Sequence, residues 1–305
     1  CGEVSGMSVI KKSSTIRYTF SDKIFLAFDW FILTSFLIII IYPLLYIISA
    51  SFSAGSTVMS LSLIPNRFTT AGYEAVFQYK DIWTGYGNSL IYMIAGTTIS
   101  LAVTVLCAYP LSRSDFKAGG FIMVLCVITM YFSGGMIPTF LVVRNLGLLN
   151  TRWAILLPEA MSIYNMIVMR TYFRTQVPTE LLESAQMDGC SNTRYLVSIL
   201  LPLSVPILAV IGLFYAVGFW NSYFSAMIYL NDRTKYPLAL ILREILVLND
   251  ANIDTLDVSI VLKLEERRNV MKYAVIIVAS LPVMILYPFV QKYFVKGIMI
   301  GAIKG

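Results

Sequence analysis

An all-α integral membrane protein with six transmembrane helices is what this sequence predicts, on three observations. Of its 305 residues 58% are hydrophobic and only 13% charged, with a mean hydropathy of +0.75, which is more apolar surface than one water-soluble core of this length can bury. The apolar residues gather in six runs, at about 25–48, 89–110, 120–142, 154–172, 201–230 and 273–294, each close to the roughly 20 residues that carry a helix across the hydrocarbon layer. The runs are continuous, whereas a transmembrane barrel shows short alternating segments.

Residues 1–24 form a cytoplasmic N-terminal segment. Within it Met7 reads as the natural start and residues 1–6 as an upstream remnant, with Cys1 as a lipidated cysteine the other reading. The first apolar run exceeds the roughly 7–15 residues of a signal-peptide core, so it is expected to be an uncleaved helix despite the small residues "SASFSA" at 49–54. The last four runs contain Pro138, Pro158, Pro202 with Pro206, and Pro282 with Pro288. Ordinary kinks account for most of them, since proline is common in membrane helices.

Lysine and arginine set the orientation. With the N-terminus in the cytoplasm, inside segments hold twelve of the 23 basic residues. Seven of the remaining eleven lie in one long outside loop, 231–272, diluted by seven acidic residues, and the shorter outside loops carry only Arg67, Lys80, Arg144 and Arg152. The N-inside arrangement is therefore favoured, the C-terminus lies on the same side, and the net charge of +6 is cytoplasmic-face basicity of an inner-membrane protein, not a nucleic-acid surface. None of the four cysteines falls in an outside loop, where a disulfide persists.

That topology puts a polar interruption, "QVPTELLESAQMDG" at 176–189, in the cytoplasmic loop between the fourth and fifth runs. It reads as a short helix. Pro178 suits the first turn, Glu180 and Glu183 suit the positive N-terminal end, and Gly189 suits a left-handed C-terminal cap. Val177, Leu181 and Ala185, with Leu182 beside them, form an apolar face, and Glu180, Glu183 and Gln186 lie away from it. Ser191 then caps a second helix that Pro202 bends into the membrane. From the residues alone, this knuckle is either gripped by a partner or laid on the membrane as an amphipathic elbow.

"ESAQMDG" at 183–189, followed ten residues on by "ILLP" at 199–202, closely resembles the coupling loop of permease subunits of ATP-binding cassette importers, a Glu-Ala-Ala, two variable residues, Asp-Gly, a spacer and an Ile-x-Leu-Pro ending. Glu183, Ala185, Asp188, Gly189 and Pro202 match. Ser184 replaces the commoner alanine, and Cys190 the alanine after the glycine. "YFSGGMIPTFLVVRNLGLLNT" at 131–151 and "LPVMILYPFVQKYFVKGIMIGAIKG" at 281–305 are similar to carbohydrate-importer permeases of the MalG type, in the branch that resembles LplC and YtcP, and the resemblance runs from about residue 15 to the end. It implies a type I importer permease fold over 25–305, with a coupling loop at 177–200 and a cytoplasmic tail at 295–305. The implied partners are a second, MalF-like permease, two nucleotide-binding ATPase subunits, an extracytoplasmic solute-binding protein, membrane lipid and a carbohydrate. In similar permeases the tail that ends in Lys304 and Gly305 reaches into the ATPase dimer; as a sequence feature it equally reads as a frayed terminus.

The sequence holds no G-x-x-x-x-G-K-[ST] phosphate loop, so no cofactor is expected in this chain, with ATP and Mg held by the partner ATPases. Intramembrane polar groups are candidates for the solute path: Asn165, with Tyr164, in the fourth run, and Trp220, Asn221 and Tyr223, with Ser225, in the fifth. An aromatic belt at the outer interface is the competing account of the latter group. A helix is expected in "YPLALILREILVLND" of the long outside loop, and another in the first outside loop; each either meets the docked binding protein or packs on the bundle. An intramembrane enzyme is disfavoured by the absence of histidine, of metal-ligand spacing and of paired intramembrane carboxylates. An ion-coupled secondary transporter is the remaining alternative, although the acidic residues lie in loops apart from Asp29 and Glu159 near run ends, and such a protein has no use for the knuckle.

Overall fold

The structure, a computed structural model, describes residues 19–53, 64, 68–247, 271–288 and 291. The described residues are helical apart from their turns and an isolated bridge between Ser53 and Phe68. By its contacts the chain divides into Cys1–Ile47 and Ile48–Gly305. Helix α1 (Phe20–Ser51) supplies the described part of the first unit. Its most apolar 18-residue stretch has no buried residue, a surface that is stable against lipid or another protein and not against water.

In the second unit the organising element is α3 (Lys80–Ser112), preceded by the short α2 (Ala71–Gln78). Three helices pack on it: α7 (Ile163–Gln176), α11 (Val205–Trp220) and α13 (Leu238–Val247). Glycine permits the closest approaches. A Cβ on Gly96 would stand 2.6 Å from the Phe219 ring, and one on Gly85 would stand 3.1 Å from the Leu238 backbone, so small residues let the helices meet where no water drives them together. The helices expected in the two outside loops are α2 and α13, and α13 buries Leu238, Leu240 and Ile241.

The six apolar runs are built in different ways. Three are continuous helices: α1, α3 and α14 (Met271–Pro288). The third run is bent by 112° between α4 (Gly119–Tyr131) and α5 (Met136–Asn145). The break falls at Ser133-Gly134-Gly135, where Gly135 takes φ +87°, and not at Pro138. That proline sits in the first turn of α5, where a missing N–H costs nothing. The fifth run follows α9 (Asn192–Tyr195), a π-helical turn Leu196–Leu200 and α10 (Leu201–Leu203), then bends by 83° into α11 at the buried Ser204. Pro202 and Pro206 each withhold an N–H on either side of that bend. The fourth run departs most from expectation. It is divided into α6 (Trp153–Leu156) and α7 by a stretch around Pro158, and the 14 residues of α7 rise about 21 Å, short of a hydrocarbon core. The described residues thus contain three helices able to cross a membrane alone, and up to five spans when each bent pair is one.

Beyond α11, α12 (Tyr223–Tyr229) leads to a tight segment clamped onto α3. Asn88 Nδ2 donates to the carbonyls of Thr234 (2.7 Å) and Tyr236 (3.1 Å), and Asn150, at φ +57°, accepts through Oδ1 from the backbone of Asn231 and Asp232.

Candidate functional site

The polar interruption folds as α8 (Thr179–Met187), with a defined residue at each end. Pro178, at φ −59°, is the N-cap residue, one position before the helix. At the other end Gly189 takes φ +71°; its N–H bonds the Gln186 carbonyl (3.0 Å) and the Cys190 N–H bonds the Ala185 carbonyl (2.9 Å). This pair of bonds is the Schellman stop, which satisfies carbonyls that a helix end otherwise leaves open. Two residues later Ser191 Oγ accepts from the Arg194 N–H at 3.3 Å and starts α9. The knuckle expected from the sequence is therefore present, stopped at Gly189 and restarted at Ser191 as expected, while Pro178 stands just before the first turn expected for it and only Glu180 lies in that turn.

Its packing corrects one detail. Val177, Leu182 and Ala185 face the core, whereas Leu181 is exposed. The outward surface carries Glu180, Leu181, Glu183, Ser184 and Asp188, with Met187 at 89% exposure. Pro202 lies exposed inside the arm that follows, and the turn into the membrane comes at Ser204, two residues beyond it.

A second set of contacts fixes the knuckle to α3. At the end of α3, Arg113 donates to both Asp115 oxygens (2.8 and 2.6 Å), to Tyr109 Oη (3.0 Å) and to Asn192 Oδ1 (2.7 Å). Asp115 holds the guanidinium protonated well above its already high range, and Arg113 in turn pulls the Asp115 carboxyl below the ordinary carboxylate value. Arg170 Nε donates to the Leu111 carbonyl at 2.7 Å, tying α7 to the same end of α3. A cavity of about 90 Å³ lies behind α8 among Tyr109, Phe173, Leu182 and Tyr195. The sequence reading used Arg113 only to set orientation; its role as a staple depends on Asn192, 79 residues away, a pairing with no local signal.

The residues expected along a solute path separate. Asn165, 7% exposed, lines a cavity of about 370 Å³ between the start of α7 and α11, with Glu159, Ser162, Phe214 and Tyr215. Around it Ser225 Oγ donates to Glu159 Oε1 (2.6 Å), Tyr215 Oη and Thr104 Oγ1 share a bond of 2.7 Å, and the Ser162 N–H donates to Tyr215 Oη (3.0 Å). Trp220 and Asn221 line a different cavity, of about 320 Å³, against α13 and α14. Trp220 is 5% exposed, its indole N–H bonds the Ala279 carbonyl at 3.2 Å, and its ring meets Tyr86 edge-on. Asn221 bonds back to Val217 within its own helix, and Tyr223 and Tyr164 are exposed. Glu159 joins this group from outside the expected set. Lys304 and Gly305 lie outside the described residues, as does most of the expected 1–24 segment. No cluster of metal-ligating side chains occurs among the described residues.

Comparison with known proteins covers most of the chain. Residues 100–300 match the family described as "Binding-protein-dependent transport system inner membrane component". The chain is 42% identical to protein LplC of Bacillus subtilis, over 88% of this chain and 90% of that one. It is 40% identical to the polygalacturonan/rhamnogalacturonan transport system permease protein YtcP of the same organism, over 90% and 96%. Among solved structures, a bacterial ABC transporter involved in the import of the acidic polysaccharide alginate superposes with a TM-score of 0.83 at 35% identity, covering 92% of this chain and all of that one.

Proposed function

The chain belongs to the binding-protein-dependent transport system inner membrane components, as a multi-pass permease of a bacterial ABC importer, and from that premise we propose that its cargo is a carbohydrate of oligosaccharide size and that α8 is the helix through which a separate ATPase drives it. The observation that carries the coupling role is the build of α8. It is stopped by Gly189, packed inward through Leu182 and Ala185, and followed by α9, whose Asn192 is stapled to the end of α3 by Arg113, while its outward face carries Glu180, Glu183, Ser184 and Asp188 beside the exposed Leu181 and Met187. A helix so held moves with the bundle and does not slide on it, which is what a lever requires. Glu183, Ser184 and Asp188 form the grip, Ala185 seats the helix from its buried side, Gly189 ends it, and Pro202 stiffens the arm leading to the bend at Ser204. The carbohydrate assignment is supported by two of the compared proteins, which are named for sugar polymers.

In this reading a second, MalF-like permease completes the pathway, two nucleotide-binding subunits hold ATP and Mg, and an extracytoplasmic binding protein delivers the sugar. Both termini are cytoplasmic, and the tail ending in Lys304 and Gly305 contacts the ATPase pair. ATP binding draws the ATPases together, the coupling helices follow, and the spans alternate between outward-open and inward-open states; hydrolysis resets them. On the solute path Asn165 is the residue whose surroundings fit best, while Asn221 and Tyr223 stand on the exposed side of α11 and α12.

The test is the subunit composition of the complex extracted in mild detergent from its native host, with uptake by the same complex in vesicles. One second permease, two ATPase copies and ATP-driven oligosaccharide accumulation are expected. Accumulation that collapses with the ion gradient while ATP is held constant, from a complex with no ATPase, would return the ion-coupled transporter.

A further inference from the structure

The fourth apolar run is opened within its apolar stretch, and the way its loose backbone is held singles out one side chain. Residues 157–162 separate α6 from α7, and Ser162, the N-cap of α7, is extended at φ −95° and ψ 124°. Non-helical backbone inside a membrane must be satisfied by the protein around it. The Ser162 N–H donates to Tyr215 Oη of α11 at 3.0 Å, and the same oxygen shares a bond of 2.7 Å with Thr104 Oγ1 of α3. One turn earlier on α3, Ser100 Oγ donates to the Glu159 carbonyl at 3.4 Å. Ser100 and Thr104 are fully buried, and Tyr215 is part of the same core.

The lower half of α7 is tied to the same helix, since Arg170 Nε donates to the Leu111 carbonyl at 2.7 Å. α7 is therefore a strut pinned to α3 at its head by a phenol from a third helix and near its foot by a guanidinium. Its foot continues through Val177 and Pro178 into α8. We propose that Tyr215 is a positioning residue of the transport cycle: by accepting the Ser162 N–H while it pairs with Thr104, it fixes the head of α7 to α3 and α11, so that a displacement delivered at α8 reaches the opened stretch without being lost in unwound backbone. The inference rests on the importer reading above and adds to it the residue that carries the stroke across the break in the fourth run. Tyrosine suits the place because its ring packs in the core while its hydroxyl both accepts and donates.

The experiment uses the whole importer in vesicles, supplied with a pool of tritium-labelled neutral and acidic oligosaccharides. Tyr215→Phe keeps the ring and removes only Oη. Hydrogen exchange at the Ser162 amide should become at least about fivefold faster. Sugar accumulated per ATP hydrolysed should fall about fivefold, with the half-saturating sugar concentration unchanged. Thr104→Val, which frees the phenol from α3 alone, should lower the same ratio by less, and Thr104→Ser should restore it. Faster exchange with an unchanged ratio in both Tyr215→Phe and Thr104→Val would make the bond merely structural and overturn the proposal. Unchanged exchange at Ser162 would also overturn it, as would a shifted half-saturation at an unchanged ratio, which would make the phenol a sugar contact. A complex that accumulates none of the pool with ATP would refute the importer reading, whereas exchange at Ser162 needs no transport and still decides whether Tyr215 holds the head of α7.

Discussion

Gly189 shows how a single residue can be required by its backbone alone. Its φ is +71°, and a Cβ placed on it meets nothing within 4 Å. Space is therefore no obstacle, and only the left-handed conformation selects glycine. Gly189→Val should lose about 1–2 kcal/mol in thermal unfolding of the purified complex and uncouple ATP hydrolysis from uptake. Gly189→Asn, which tolerates this conformation, should behave nearly as wild type. Equal transport by both variants would remove α8 from the coupling role. Trp220 is a different case. Trp220→Phe keeps the packing against Tyr86 but removes the indole donor to the Ala279 carbonyl, so a loss of about 1 kcal/mol with an unchanged sugar dependence of uptake is expected; a shifted dependence would put the indole on the solute path. Gly189 and Ser191 were legible in the sequence because capping is a local matter of one residue and its next few N–H groups. The apolar face was legible only in part. Val177 lies before the helix starts at Thr179, so its spacing to Leu181 is not helical, and Leu182, not Leu181, turns inward.

At the scale of elements, the segment between α12 and α13 is held by polar contacts that no periodicity announces. Asp232 accepts from the Thr234 N–H (3.0 Å) and hydroxyl (2.7 Å) and pairs with Lys235 at 3.0 Å. The Thr234 bonds, with Lys235 beside them, lower the Asp232 carboxyl from its ordinary value to about 2. A depressed carboxyl favours the folded clamp above its unfolded value, near 4, and that contribution is lost as pH falls through the folded one. Protection of the Thr234 amide from hydrogen exchange should therefore be unchanged from pH 7 to about 5, fall between about 4 and 2, and be low at every pH in Asp232→Ala. A loss already complete at pH 5 would place the clamp on other groups. The breaks in the spans belong to this scale too. Proline marked candidate kinks, yet one true break falls on Ser133-Gly134-Gly135 and another on Ser204, because a bend occurs where neighbouring helices leave room and resatisfy the freed backbone, and a proline at a helix start disrupts nothing.

For the whole molecule, orientation is the first consequence to check. With the N-terminus inside, a cysteine in place of the exposed Lys80 should react with an impermeant maleimide on intact cells, and one in place of the exposed Lys117 only after the membrane is opened. The reverse pattern would invert the topology and move α8 away from any cytoplasmic ATPase. The sequence by itself determined that this is a helical membrane protein, where its apolar runs lie, and that a capped knuckle interrupts them, since hydropathy and capping are properties of contiguous residues. Tertiary structure decided the rest: that the fourth run is divided, that Arg113 staples the knuckle across 79 residues, and that Glu159, Asn165 and Tyr215 share one cavity while Trp220 belongs to another. The reason is physical. In lipid every polar group must find its partner within the protein, and which distant helix supplies it is settled only when the helices pack.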